Sequence, residues 1–231
     1  MKTQVLIATV ATGMLAAPAN AADWYVSGSL GFSNPSSTVF NDGTNGGGNP
    51  KVDIDNTTKM TAAVGLAFTP NFRTELEFSQ ANYKTDESLQ SGSGARAPDT
   101  FATDANFKVR ALMVNAIYDF QTDTGFSPYI RAGVGKSFYD MDGGLFVSSS
   151  GGNTFGGFLP ATFGYEGSGS DFAFQIGLGT SFALLDNADL TVEYRYSDLG
   201  SVATGYDVNG DRLQTDLKSH ELLLGVRYTF N

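Results

Sequence analysis

The sequence predicts an all-β chain: an eight-stranded, antiparallel, up-and-down β-barrel that crosses a membrane. Three observations predict it. Eight segments alternate apolar and polar residues at period 2, the face opposite the apolar one is built mainly from Gly, Ser and Thr, and the connections between segments are alternately long and short. Composition agrees with a compact fold and removes several function classes. Of 231 residues, 41% are apolar and 13% aromatic, too many for a disordered chain. Cysteine is absent and His220 is the single histidine. Neither a disulfide framework nor a thiolate or His-rich metal centre is therefore expected, and no cofactor. A formal charge of −10 without a basic run argues against a nucleic-acid partner.

Residues 1–21 read as a cleaved secretory signal peptide. Lys2 supplies a positive start, Val5 to Ala17 a short apolar run, and Ala19-Asn20-Ala21 a small-residue cleavage site. The run has 13 residues, against the ~20 that a spanning helix needs. Cleavage after Ala21 leaves residues 22–231 with a charge of −11.

The eight segments follow in order. The first, Asp23 to Asn34, sets Trp24, Val26, Leu30 and Phe32 against Ser27, Ser29 and Ser33. The second sets Met60, Ala62, Val64, Leu66 and Phe68 against Lys59, Thr61, Ala63 and Gly65, and the third sets Phe72, Thr74, Leu76 and Phe78 against Arg73, Glu75, Glu77 and Ser79. Leu112, Val114, Ala116, Tyr118 and Phe120 form the apolar face of the fourth; Ile130, Ala132, Val134 and Phe138 form that of the fifth. The sixth carries Phe172, Phe174, Ile176, Leu178 and Phe182, and the seventh Leu190, Val192, Tyr194 and Tyr196. The last sets Leu222, Leu224, Val226, Tyr228 and Phe230 against Glu221, Leu223, Gly225, Arg227 and Thr229.

A soluble sandwich also alternates, and a sandwich with a carbohydrate site is one alternative. Its second face would meet water and carry many Lys and Glu. Here that face is small, as the filled interior of a narrow barrel requires. Aromatic residues near segment ends, among them Trp24, Phe68, Phe72, Tyr118, Phe120, Tyr228 and Phe230, suit interfacial girdles.

Short connections occur at residues 69–71, 121–125 and 185–187, and long ones at about 35–57, 84–106, 140–170 and 198–216. Strict alternation puts both termini at the short-turn end, which is periplasmic in outer-membrane barrels.

These features resemble the small Gram-negative outer-membrane β-barrel family that includes the OmpA membrane domain, the opacity proteins and related surface antigens. The resemblance is carried by Ala22-Asp23-Trp24-Tyr25-Val26-Ser27-Gly28, by residues 112–120 (LMVNAIYDF) and 128–135 (PYIRAGVG), by 192–200 (VEYRYSDLG) and by 225–230 (GVRYTF). It implies a monomeric barrel in the outer membrane, inserted by the barrel assembly machinery, which would read Val226, Tyr228 and Phe230. The chain departs from the family pattern at its end, where Asn231 follows the aromatic Phe230. No peptidoglycan-binding segment follows, so wall tethering is not expected of this sequence. Members serve as anchors, adhesins, antigens or narrow pores. The implied role is a structural surface protein whose loops meet a host or phage ligand, with a narrow porin as the alternative.

Charge divides by region. Fourteen acids fall in the long connections, against Lys51, Lys84, Arg96 and Arg212. Such a face suits divalent cations bridging to lipopolysaccharide, or a basic partner. Asp53-Ile54-Asp55 and Asp140-Met141-Asp142 lack calcium-loop spacing, so a merely solvated loop set is the competing expectation. By parity Lys108, Arg110, Lys136 and Lys218 point outward near the long-loop ends, a rim expected to contact lipopolysaccharide phosphates or to snorkel. Inside, Arg73, Arg131, Arg195 and Arg227 match Glu75, Glu77, Glu193 and Glu221. Balanced buried charge predicts a salt-bridged plug, and a selectivity lining is the alternative.

Some barrels of this kind modify lipid A, so catalysis needs weighing. His220 lies between Ser219 and Glu221, but parity puts it on the opposite face from both. No catalytic set is expected, and the chain is read as a non-enzyme.

Overall fold

A computed structural model describes residues 23–36, 38–39, 51–52, 54–84, 90–91, 99–149, 161–164, 166–203 and 214–230. Twelve strands run in order: β1 (Asp23–Pro35), β2 (Thr38–Val39), β3 (Lys51–Val52), β4 (Thr57–Thr69), β5 (Phe72–Lys84), β6 (Gln90–Ser91), β7 (Asp99–Asp119), β8 (Phe126–Ser149), β9 (Ala161–Gly164), β10 (Gly167–Leu185), β11 (Ala188–Ala203) and β12 (Gln214–Phe230). Eight of these form a closed antiparallel sheet, because β7 pairs with β5 and β8 while β1 pairs with β4 and β12. Every barrel strand bonds to its neighbours in sequence order. This is the up-and-down barrel that alternation and loop lengths predict.

Period 2 puts the apolar sets outside. Leu30, Phe32, Ile176, Leu178 and Leu224 are each more than half exposed on that wall, while the inward Tyr25, Ile117 and Leu223 are buried. Such a surface is stable only against hydrocarbon. Leu66 departs from the pattern: it faces outward by register yet is buried, lying between Trp24 of β1 and Thr74 of β5. At the short-turn end, aromatic pairs gather as a girdle: Phe68 with Phe72, Tyr118 with Phe120, and Tyr228 with Phe230 at centroid separations of 6.2, 5.1 and 5.2 Å.

The tight connections fall where the sequence puts them, at residues 70–71, 120–125 and 186–187. The Thr69 hydroxyl accepts from the backbone N–H groups of Asn71 and Phe72, and Asn71 Nδ2 donates to the Asp119 carbonyl at 2.9 Å, tying two adjacent turns together. The long connections need correction. Pairing of β7 with β8 continues from Asp119↔Tyr129 to Asp99↔Ser149, through residues expected to be loop, and β9 adds to β8. Asp, Asn and Gly at 99–106 and 142–144 read as loop from one strand alone, whereas cross-strand pairing sustains them as ladder. Residues 1–22 and 231, and so the signal-peptide segment and the final Asn, lie outside the described residues, as do Asp42, Asp53, Asp86, Glu87, Asp207 and Asp211 of the acidic loop positions.

Candidate functional site

The lumen is the candidate site, since a narrow barrel's interior decides whether it conducts. Charged side chains enter it because the inward parity of β5, β8 and β11 carries them, and their burial demands partners. Arg131 is the hub. Its Nη1 donates to Glu75 Oε2 at 2.6 Å and to Glu77 Oε2 at 3.1 Å, and its Nε donates to Glu193 Oε2 at 3.1 Å. Arg195 grips both oxygens of Glu77 at 2.8 and 3.2 Å, and reaches Glu193 at 2.8 Å. Arg73 donates to Glu75 at 3.2 Å and forks onto Asp119 at 2.7 and 3.1 Å. Tyr25 and Tyr129 hydroxyls donate to Glu75 and Glu193 at 3.0 and 2.8 Å. Two-point guanidinium–carboxylate pairs combine charge with fixed geometry, so the network of three guanidiniums and four carboxylates is rigid.

Six of the eight residues expected in the lumen, Arg73, Glu75, Glu77, Arg131, Glu193 and Arg195, therefore join one network. The other two pair elsewhere. Glu221 takes Lys59 at 2.6 Å with Ser219 donating to the same oxygen at 2.9 Å, and Arg227 takes Asp189 at 2.6 Å near the short-turn end. Lys59, Asp119 and Asp189 are thus the members that the four-against-four balance overlooks. Their inward parity was the available signal.

Tyrosines enter the lumen over glycines. Tyr25 lies opposite Gly65, Tyr129 opposite Gly179 and Tyr139 opposite Gly169. A Cβ on Gly65 would collide with the Tyr25 ring, one on Gly179 would fall 2.5 Å from the Tyr129 ring, and one on Gly169 would fall 2.8 Å from the Tyr139 ring. The missing side chain is what lets each ring lie flat against the neighbouring strand.

Above the ion network the lumen turns apolar. Tyr83, Phe107, Val109, Met113, Tyr139, Met141, Leu199 and Leu217 form one buried cluster, joined by Ile54 from the first long connection. Sequence reasoning missed this collar, because Tyr83, Phe107, Val109 and Tyr139 fall beyond the ends of the alternating segments it singled out, while Ile54, Met141 and Leu199 fall in the expected long connections. Below, a cavity of about 30 Å³ is lined by Ser27, Ser29, Thr61, Thr191 and the Arg and Glu set. That is room for about one or two waters.

On the outer wall, Lys108 and Lys136 are exposed, and Arg110 and Lys218 are half-buried. Arg110 bonds Asp140 at 3.1 Å, and Lys218 lies 3.3 Å from Asp216 and 3.9 Å from Asp198. The Lys136 ammonium stands 5.5 Å from the Phe138 ring centre. Val226, Tyr228 and Phe230 face outward along β12, opposite Gly28, Val26 and Trp24. His220 is outside with its Nδ1 2.7 Å from the Tyr194 hydroxyl, while Ser219 and Glu221 are buried inside. The three form no catalytic set. Among the described residues no group of three or more His, Cys, Asp and Glu is arranged to hold a metal ion.

Comparison with known proteins agrees with this architecture. The protein is 30% identical over 138 residues to the outer membrane protein PagN of Salmonella typhimurium, a match covering 53% of this chain and half of that protein. It is 25% identical over 196 residues to a putative adhesin, RC1281, of Rickettsia conorii, covering 78% of this chain and 71% of the relative. Among solved structures, Neisserial surface protein A (TM-score 0.52, 21% identity, 90% of this chain and 97% of that one) and OprG of Pseudomonas aeruginosa (TM-score 0.56, 16% identity, 91% and 97%) share the fold. The family model for the outer membrane protein beta-barrel domain matches residues 5–230. The chain belongs to that outer-membrane β-barrel family.

Proposed function

We propose that the protein is a sealed surface scaffold: a monomeric barrel, exported by a signal peptide cleaved after Ala21, that holds its long connections outside the cell for contact with another surface. What supports this reading is a lumen filled by side chains at two levels. Arg131 and Arg195 tie β5, β8 and β11 together with bonds of 2.6–3.2 Å, and an apolar collar lies above them. A pore requires a continuous wet path, and an eight-stranded barrel is narrow enough for side chains to fill. What remains for function is the exposed end, acidic and rich in Gly, Ser and Thr. Likeness to a relative described as a putative adhesin supports an adhesive role. Val226, Tyr228 and Phe230 serve as the assembly signal read by the barrel assembly machinery.

Surface display in a non-adherent Gram-negative strain tests the reading. Replacing residues 40–50, 85–89, 92–98, 150–160 and 204–213 by short Gly/Ser links should leave the heat-dependent gel shift of the folded barrel intact and abolish binding to host cells. Undiminished binding by the shortened barrel would contradict it. N-terminal sequencing of the membrane-inserted protein should begin at Ala22.

A further inference from the structure

The seam between β1 and β12 joins the two ends of the barrel, and it is the one pairing in the closed sheet that no turn or loop of the chain connects. It also sets the size of the barrel. Register followed from Tyr25 through Gly65, Glu75 and Asn115, and on round the sheet to Ser219, returns to β1 ten residues on, at Pro35. With eight strands, that stagger is tied to the strand tilt and to the width of the lumen. A β12 displaced by two residues keeps every side chain on its own face, yet changes the stagger to eight or twelve.

Apolar packing discriminates poorly against the larger stagger. With β12 displaced by two residues toward the long-connection end, Leu30 and Phe32 would meet Val226 and Leu224 in place of Leu224 and Leu222, apolar against apolar as before. On the lumen side β1 presents Ser27, Ser29, Gly31 and Ser33, none large enough to reject a displaced partner. Arg227 lies 5.8 Å from the Tyr25 ring, but its charge is held by Asp189 of β11.

Lys59 and Glu221 do discriminate. Lys59 of β4 lies opposite Gly31 of β1, and Glu221 of β12 lies opposite Ser33, so their 2.6 Å ion pair reaches across β1 from one of its neighbours to the other. Among the described residues it is the one ion pair that crosses the seam. Both side chains are buried and Glu221 Oε2 has no hydrogen-bond partner, so Lys59 alone meets that charge. The displacement would set Glu221 opposite Pro35, about 7 Å further from Lys59 along the strand. That breaks the pair and strands a buried carboxylate. Displacement the other way would bring Glu221 level with Lys59 and leave the pair within reach, so the discrimination is one-sided.

We propose that Lys59 and Glu221 form a register pin: when β12 closes on β1, their ion pair selects a stagger of ten residues over one of twelve. A single polar contact inside an otherwise permissive interface specifies register in the same way elsewhere, at some cost in stability. The pin acts on which barrel forms, and so is separable from how stable that barrel is. Apolar side chains at both positions restore packing, but nothing in them measures a two-residue offset.

Paired cysteines test it, since the chain has none of its own. On the outer wall, L30C with L224C reads the native seam and L30C with V226C reads the displaced one. Barrels refolded in lipid vesicles are oxidised briefly with copper phenanthroline, and the crosslink is scored by the mobility of the denatured chain with and without reductant. In the unmodified background the first pair should crosslink and the second should not, because a diagonal pair lies beyond disulfide reach. In K59M/E221L the displaced crosslink should rise about tenfold or more, while K59R should keep the native pattern. Leu112 and Lys136, opposite each other on β7 and β8, give the control. There L112C with K136C should crosslink in every background and L112C with F138C in none. A folded K59M/E221L barrel that stays wholly in the native register would overturn the proposal, and so would equal slippage at the control pair. The heat-dependent gel shift reports folding, and K59Q, with the same expected and contrary results, replaces the double variant if that fails to fold.

Discussion

Arg195 holds both carboxylate oxygens of Glu77 across the lumen, at 2.8 and 3.2 Å, although 118 residues separate them in sequence. The pair links β5 to β11, strands that share no backbone hydrogen bonds in the closed sheet. Sheet pairing closes the wall of the barrel; this contact and those of Arg131 brace its interior. A buried charge that has lost its partner is far costlier than a buried pair, so the two kinds of substitution should behave very differently.

Removing Arg131 strands parts of Glu75, Glu77 and Glu193 at once. Arg131→Ala should destabilise the folded barrel by about 3–5 kcal/mol, measured by urea unfolding in lipid vesicles. The isolated Lys59–Glu221 pair offers the contrast. Lys59→Met alone should cost several kcal/mol, whereas Lys59→Met with Glu221→Leu should recover most of it, because apolar packing replaces an ion pair at little net cost. Equal losses in the single and double variants would show that the pair itself, not the orphaned carboxylate, carries the energy.

Glycines in the wall should divide by what faces them. Gly179→Ala drives a methyl to within 2.5 Å of the Tyr129 ring and 2.7 Å of the Val192 carbonyl, and should cost about 1–3 kcal/mol while loosening the Tyr129–Glu193 bond. Gly28→Ala faces outward, with Thr61 carbonyl oxygen 3.8 Å away. It should be neutral or stabilising by up to about 0.5–1 kcal/mol, since Gly is a poor strand residue. The same vesicle unfolding assay reads both.

The outer wall predicts a depth profile. Val114→Lys falls in the apolar row beside Leu76 and Val134 and should cost ~2–4 kcal/mol. Gln80→Lys, beside Arg110, should cost ~0–1 kcal/mol. A flat response in vesicles would mean that the rows do not map onto membrane depth.

Much of this was legible in the sequence, for a physical reason. A strand buried on one side and bathed in lipid on the other must alternate, so Leu222, Leu224, Val226, Tyr228 and Phe230 announce both strand and face. Parity also delivered Arg73, Arg131 and Arg195 to the lumen. It did not say which carboxylate each would meet, because barrel stagger sets which inward residues share a level, and that shear is not readable from one segment. Glu221 went to Lys59 and Arg227 to Asp189 for that reason. The apolar collar escaped for another. Phe107, Val109, Tyr139 and Met141 lie in or beside stretches containing Asp, Asn and Gly, where strand propensity is poor and only pairing between β7 and β8 holds the ladder.

In the proposed sealed scaffold the lumen is closed twice, by the Arg131–Arg195 network and by the collar containing Tyr83, Phe107 and Leu217. Planar-bilayer conductance of the refolded mature barrel tests it most directly, read beside Arg131→Ala. Both proteins should be electrically silent, because the collar remains when the network is cut. Steady, charge-selective steps from the unmodified barrel would contradict the claim and make the Arg and Glu set a filter.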